Sequence, residues 1–252
     1  MGPSIAAILR RILAAGLIAG FVAGTAASVV QMLQVTPLIL AAEVFEEAAP
    51  AAAHVHDGAA AGHHHDAADE AWAPADGLER TAFTWLANVL TGAGFGLILA
   101  AAMAFAGRAV DWRRGLVWGL AGYGVFAVAP ALGLPPELPG MMAADLPARQ
   151  AWWLLAAGGT AAGLALIAFA PAKPYRRALQ IAGLALILLP QVIGAPHMAA
   201  EGGAVPAELA ARFVVASLAA SALFWAALGL ATGHLMGRLL PAVPARPSPQ
   251  TA

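Results

Sequence analysis

Six apolar stretches, each long enough to cross a lipid bilayer, constrain this chain more than any other feature. They run at 12–35, 84–106, 115–134, 151–170, 178–194 and 213–236. Spans of about 20 residues match the ~30 Å hydrocarbon layer at 1.5 Å per residue; the fifth is the shortest. Ala and Leu dominate the stretches and strand-like alternation is absent, so helices rather than a barrel satisfy the backbone. Apolar residues make up 61% of the chain and charged residues 11%, too little polar cover for a water-soluble core of that size. The first run exceeds a signal-peptide core and is read as a retained span. The expected architecture is an all-α membrane protein. Residues 1–240 form one membrane domain, 41–80 an outer acidic and His-rich loop, and 241–252 a disordered cytoplasmic tail.

Threading the six spans in alternation sorts the charges. With the N-terminus in the cytoplasm, the inner segments hold Arg10, Arg11, Arg108, Arg113, Arg114, Lys173, Arg176, Arg177, Arg238 and Arg246, ten of the 13 basic residues. Basic residues favour the cytoplasmic side, which sets the orientation. All of the 14 acids except Asp111 fall outside, together with every histidine except His234. Both termini are therefore expected in the cytoplasm, in a multi-pass protein of a bacterial inner membrane. An acidic, histidine-bearing outer face above a helical body points to a divalent cation.

The outer ends of the spans repeat. Spans 2, 4 and 6 begin behind an acid and an arginine four residues apart: Asp76/Arg80, Asp145/Arg149 and Glu208/Arg212. The arginines recur 69 and 63 residues apart. Spans 1, 3 and 5 carry Pro37, Pro130 and Pro190 near their outer ends, followed six or seven residues later by Glu43, Glu137 and His197. Three tandem helical hairpins of one design follow from this, the first with a longer loop. Ion pairing across one helical turn accounts for the acid–arginine pairs. Side by side, the hairpins would bring three proline-broken ends around one axis, and broken helices expose carbonyl oxygens that transporters use for ions. Gly16, Gly20 and Gly24 in the first span, and Gly229, Gly233 and Gly237 in the last, have the four-residue spacing that lets helices approach closely in lipid. Gly92/Gly96, Gly115/Gly119 and Gly159/Gly163 repeat it once each.

Two groups of residues suit metal chemistry. The outer loop holds His54 and His56, then His63, His64 and His65, with Glu43, Glu47 and several further acids around them. Short His-rich tracts capture divalent transition metals, although an inert hydrophilic spacer is the plain alternative. Alanine and glycine dilute the loop, so it would concentrate ions rather than define a selective site. The second group is Glu43, Glu137 and His197, one from each hairpin, two of them stiffened by neighbouring prolines. Two carboxylates and an imidazole suit a borderline divalent ion; capping of interfacial turns explains Glu137 and His197 equally well.

Other chemistry lacks residues. No Asp, Glu, Lys or Arg lies near the centre of a span, so a proton relay through buried carboxylates has no members. Ser28, Gln31 and Gln34, and Thr84, Asn88 and Thr91, are read first as interhelical hydrogen-bonding groups and second as a pore lining. There is no phosphate loop, no GxSxG and no HExxH, so the chain is not expected to be an enzyme. With no cysteine, disulfides and thiolate ligands are excluded. The net charge of −1 carries no nucleic-acid signal.

At these segments the chain resembles the CbtA-type family of probable cobalt transporter subunits. The resemblance rests on Arg10-Arg11 ahead of a Gly/Ala-rich span, Pro37 to Glu43, the histidine loop, Trp72 to Arg80, Pro135-Pro-Glu-Leu-Pro-Gly140, and Ile193-Gly-Ala-Pro-His197. It implies cobalt uptake, with a small single-span partner subunit bearing its own histidines, and marks Glu43, Glu137 and His197 as functional positions. The histidine loop departs from that pattern in being diluted with alanine. The expected function is uptake of Co²⁺, or of Ni²⁺ or Zn²⁺, without a prosthetic group. A metal sensor or metal-delivery protein that does not itself transport is the alternative.

Overall fold

A computed structural model describes residues 4–48, 74–75, 77–107, 110–171, 174–197 and 205–239. Every regular element among them is helical. Helix α1 (Ile5–Val30) starts where the Ser4 side chain accepts from the Ala7 amide, satisfying one of the unpaired donors at a helix start. It passes through a π-turn at Gln31–Val35 into α2 (Thr36–Ala48). Helix α3 covers Leu78–Phe105. Capped by Asp111, α4 (Trp112–Tyr123) passes through a second π-turn, Gly124–Val128, into the short α5 (Ala129–Ala131). Helices α6 (Leu146–Ala168), α7 (Arg176–Ile193) and α8 (Ala207–Leu239) complete the bundle.

Five of these helices, Ile5–Phe45, Leu78–Phe105, Leu146–Ala168, Arg176–Ile193 and Ala207–Leu239, are long and apolar enough to cross a membrane. The remaining expected span corresponds to the α4–π–α5 run, whose first turn carries Arg113 and Arg114. The 41 residues of Ile5–Phe45 would extend about 60 Å, twice the hydrocarbon thickness, so this helix overshoots any bilayer it crosses.

Small residues face inward and large apolar ones outward. Ala15, Ala19 and Ala23 are fully buried, whereas Val192 is 82% and Ile181 70% exposed. In water that distribution would be unstable. In lipid it is the expected one, because outward leucines are solvated and inward small residues let backbones touch.

The backbones do touch, in three antiparallel pairs. Gly16, Gly20 and Gly24 of α1 lie against the backbone at Gly96, Gly92 and Asn88 of α3. Gly115 and Gly119 of α4 interlock with Gly229 and Gly233 of α8, and Gly163 of α6 with Gly183 of α7. A Cβ at any of these contacts would collide with an opposing carbonyl. Helix α8 also packs along α1, making it the central element. Two consecutive-hairpin pairings are thus corrected. Of the three expected hairpins only the first packs along its length; the third span lies on α8, and the fourth packs on the fifth, α7, instead of on the third. Matching glycine faces, not chain order, select the partners.

The prolines also act differently from expectation. The helix runs on through Pro37 to Ala48, and α7 runs through Pro190 to Ile193. A proline inside a helix offers no N–H to the carbonyl four residues back and its ring crowds that carbonyl. Here the residue before each of two prolines donates five residues back instead, Thr36 to Gln31 and Ala129 to Gly124. The widened turn gives the ring room, and the helix bulges and runs on past Pro37, whereas after Pro130 it ends at Ala131 as expected.

Candidate functional site

The acids singled out by the repeat lie at one end of the bundle. Glu43 sits on α2 beside Ala42, and Glu137 sits beside Leu138 in the non-helical segment after α5. Ala42 and Leu138 share one buried cluster with Val35, Phe213 and Ala220. One end each of the first, third and last helical runs therefore meet there.

Each acid is held by an arginine from the start of the following helix. Arg80 Nη2 donates to Glu43 Oε1 at 2.6 Å, and Arg149 Nη2 to Glu137 Oε2 at 2.6 Å. These side chains are between 24% and 33% exposed, so both pairs are partly shielded from solvent but reachable by it. The one-turn pairing expected for Asp145 with Arg149 is replaced: Asp145 caps α6 by accepting from the Ala148 amide. Glu208 and Arg212 form no ion pair among the described residues, and Asp76 lies outside them. At the matching place in the third repeat stands His197, exposed after the turn at Gly194, whose φ of 85° ends α7.

Among the described residues no three His, Asp or Glu side chains are gathered where they could hold a metal ion. Glu43, Glu137 and His197 therefore do not form one three-ligand set here. The physical reason is visible in two of the three repeats, where the carboxylate is already neutralised by its own arginine. His54, His56, His63, His64 and His65 lie outside the described residues, as does the side chain of Glu47 on α2.

The polar groups between α1 and α3 are structural. Asn88 Nδ2 donates to Ser28 Oγ at 3.0 Å and to Gln31 Oε1 at 2.7 Å, using both amide hydrogens. Ser28 Oγ donates to the Gly24 carbonyl, and the Trp85 indole donates to Thr25 Oγ1. Immediately inward, Gly24 and Gly20 press on the α3 backbone. No lumen runs along that pair.

Two cavities lie beside the α4–π–α5 run. The first, about 660 Å³, is at the acidic end and is lined by Pro130, Glu137, Arg149, Gln150, Trp153 and Ser221 among others. The second, about 630 Å³, is at the basic end and is mostly apolar, with Met103, Arg114, Trp118, Phe169 and Trp225 in its wall. Phe126 lines both. Nothing in the sequence pattern singles out Phe126 or Trp225. Pro130, four residues after Phe126, was the available signal of a local irregularity.

At the opposite end from Glu137, Arg10 and Arg11 open α1, Arg113 and Arg114 open α4, Arg176 and Arg177 open α7, and Arg238 closes α8. Arg11 Nη1 donates to the Leu239 carbonyl at 2.9 Å, joining the first and last helices there. The bundle thus carries its arginine-rich helix ends on one side and its acid–arginine pairs on the other.

Residues 9–237 match the profile of a protein family, CbtA, described as probable cobalt transporter subunit. No curated protein and no solved structure matches the chain.

Proposed function

The chain belongs to the CbtA family of probable cobalt transporter subunits, and from that premise we propose that it imports a divalent transition metal, Co²⁺ first, from the periplasm. The observation that carries this reading is Glu137, paired to Arg149 in the wall of a cavity at the acidic end of the bundle. A carboxylate beside an open cavity, neutralised by a displaceable guanidinium, can exchange that partner for an arriving cation. Glu43 with Arg80 repeats the device nearby.

The Trp112–Ala131 run counts as a sixth crossing in this reading, since α4 lies antiparallel along α8. Six crossings put both termini on the basic side, which is cytoplasmic by the bias of basic residues. The His54–His65 loop then faces the periplasm, where His54, His56, His63, His64 and His65 with Glu47 collect metal. Ions pass from there to Glu137, Glu43 and the exposed His197, acting as successive single contacts. Imidazole and carboxylate ligands accept Co²⁺, Ni²⁺ and Zn²⁺ alike; cobalt is chosen by the family. An inside-negative potential favours inward movement of a divalent ion by about 4.6 kcal/mol per 100 mV. The word subunit implies a partner, which we take to be a small single-span, histidine-bearing protein. A second reading, a metal-delivery or sensing protein that does not itself transport, is favoured by the absence of a gathered ligand set among the described residues.

Radiolabelled Co²⁺ uptake into cells separates the two. Wild-type chain should raise uptake above empty cells, and Glu137→Gln should lower it at least several-fold. Uptake no higher than in empty cells, with the protein present in the membrane, would leave the delivery role.

A further inference from the structure

The two cavities are separated by an aromatic barrier. The ring of Phe126 stacks on Trp225, centroids 5.5 Å apart and 4° from parallel. Phe126 is also approached by Phe95, at 5.0 Å, and by Trp153, at 6.2 Å. Trp225 is nearly fully buried, and its ring fills the space above Gly122, where a Cβ would strike it. It is a fixed anvil. Phe126 is the middle residue of the π-turn Gly124–Val128, the one stretch of this helical run wound more loosely than an α-helix. Such turns commonly mark functional sites. Tyr123 pins the helix just before it, its hydroxyl donating to the Leu218 carbonyl at 3.1 Å.

The two helix pairs that flank this place are not interlocked with each other. The α4/α8 and α6/α7 pairs are each locked internally by interleaved glycines. Between them, α6 meets this run chiefly at the π-turn and α5, where Gln191 Nε2 also donates to the Ala129 carbonyl at 2.9 Å. Each cavity has room for on the order of twenty waters at about 30 Å³ apiece. Hydrophobic constrictions of this kind close a pathway by excluding water.

We propose that Phe126, held against Trp225, is the closed gate of the permeation route, with the Glu137 cavity as outer vestibule and the Arg114 cavity as inner one. This rests on the transport reading, because a gate requires a route. It places the route between rigid helix pairs and not within one.

The chain has no cysteine, so single substitutions report accessibility without background. Ser221→Cys marks the Glu137 cavity and Ala121→Cys the other. A membrane-impermeant, cationic thiol reagent is applied from each face in turn, in the full-length protein. With Phe126 present, reagent on the Glu137 side should modify Ser221→Cys and spare Ala121→Cys. Adding Phe126→Ala should raise modification of Ala121→Cys from that side at least about tenfold and leave Ser221→Cys unchanged. Phe126→Leu, which keeps an apolar side chain and more of the volume, should give an intermediate rate; it decides the matter if Phe126→Ala fails to accumulate. Equal Ala121→Cys rates with and without the Phe126 ring would overturn the gate. Labelling needs no metal. If the wild type carries no Co²⁺ while Phe126→Ala still raises Ala121→Cys labelling, the transport reading and its gate are lost and only the barrier stands. If the wild type carries Co²⁺ and Phe126→Ala gives no increase, the gate alone is lost.

Discussion

Arg149 reaches back twelve residues to Glu137, Nη2 to Oε2 at 2.6 Å, and leaves Asp145, one turn before it, to cap α6. The chain thereby ties a non-helical segment to the next helix with a charge-assisted hydrogen bond. Such bonds are stronger than neutral ones, and this one is about a quarter exposed. Arg80 likewise ties Glu43 of α2 to the start of α3, across 37 residues. Two of the three repeats thus share one fastening, and in both the acid it uses faces the side of the bundle where cargo is proposed to arrive.

Arg149→Ala should lower stability by about 1–2 kcal/mol, between the values for exposed and fully buried pairs. Thermal unfolding in detergent measures this. The double variant Arg149→Ala/Glu137→Ala should be no less stable than Arg149→Ala alone, since it removes the carboxylate that the first change strands. A double variant worse by the full sum would show that the two residues do not act as a pair.

Gly92→Val should cost about 1–3 kcal/mol or more, the penalty of forcing bulk into a packed contact, because its Cβ position is occupied by the Gly20 carbonyl. Gly94, two residues on in the same helix, has open space around it. Gly94→Ala should be neutral or stabilising by about 0.5–1 kcal/mol. Melting temperatures of the two variants, in one detergent, must move in different directions or by clearly different amounts.

Asn88→Leu removes both hydrogen bonds from α3 to Ser28 and Gln31. At about 0.6 kcal/mol each for hydrogen bonds within membranes, the loss should be near 1 kcal/mol. Co²⁺ uptake per folded molecule should persist, since the α1/α3 contact has no lumen. Abolished uptake in a folded variant would move the route to that contact.

Deleting residues 50–70 should raise the Co²⁺ concentration needed for half-maximal uptake while sparing the maximal rate, because a concentrating loop alters local supply and not passage. A fall in maximal rate at saturating Co²⁺ would show that the loop belongs to the route itself.

The apolar runs, the small residues every fourth position and the sidedness of charge were legible in the chain alone. Each depends on local composition and a known helical period. The ends of α3 and α6 and the start of α7 fall close to where hydropathy ends. What tertiary structure decided was partnership. A glycine face says that a helix wants a close neighbour, yet Gly115/Gly119 could meet any of several such faces, and only packing assigned it to α8. An arginine four residues after an acid has a local partner within reach, so spacing favoured Asp145 over Glu137 until α5 and the following segment were seen to fold back. The π-turns add one residue to a helical turn, too small a disturbance for apolar periodicity to register, and they carry Phe126 to the boundary between two cavities. Local periodicity therefore determined the helices. Which surfaces meet, and the space left where they do not, depends on all of them at once.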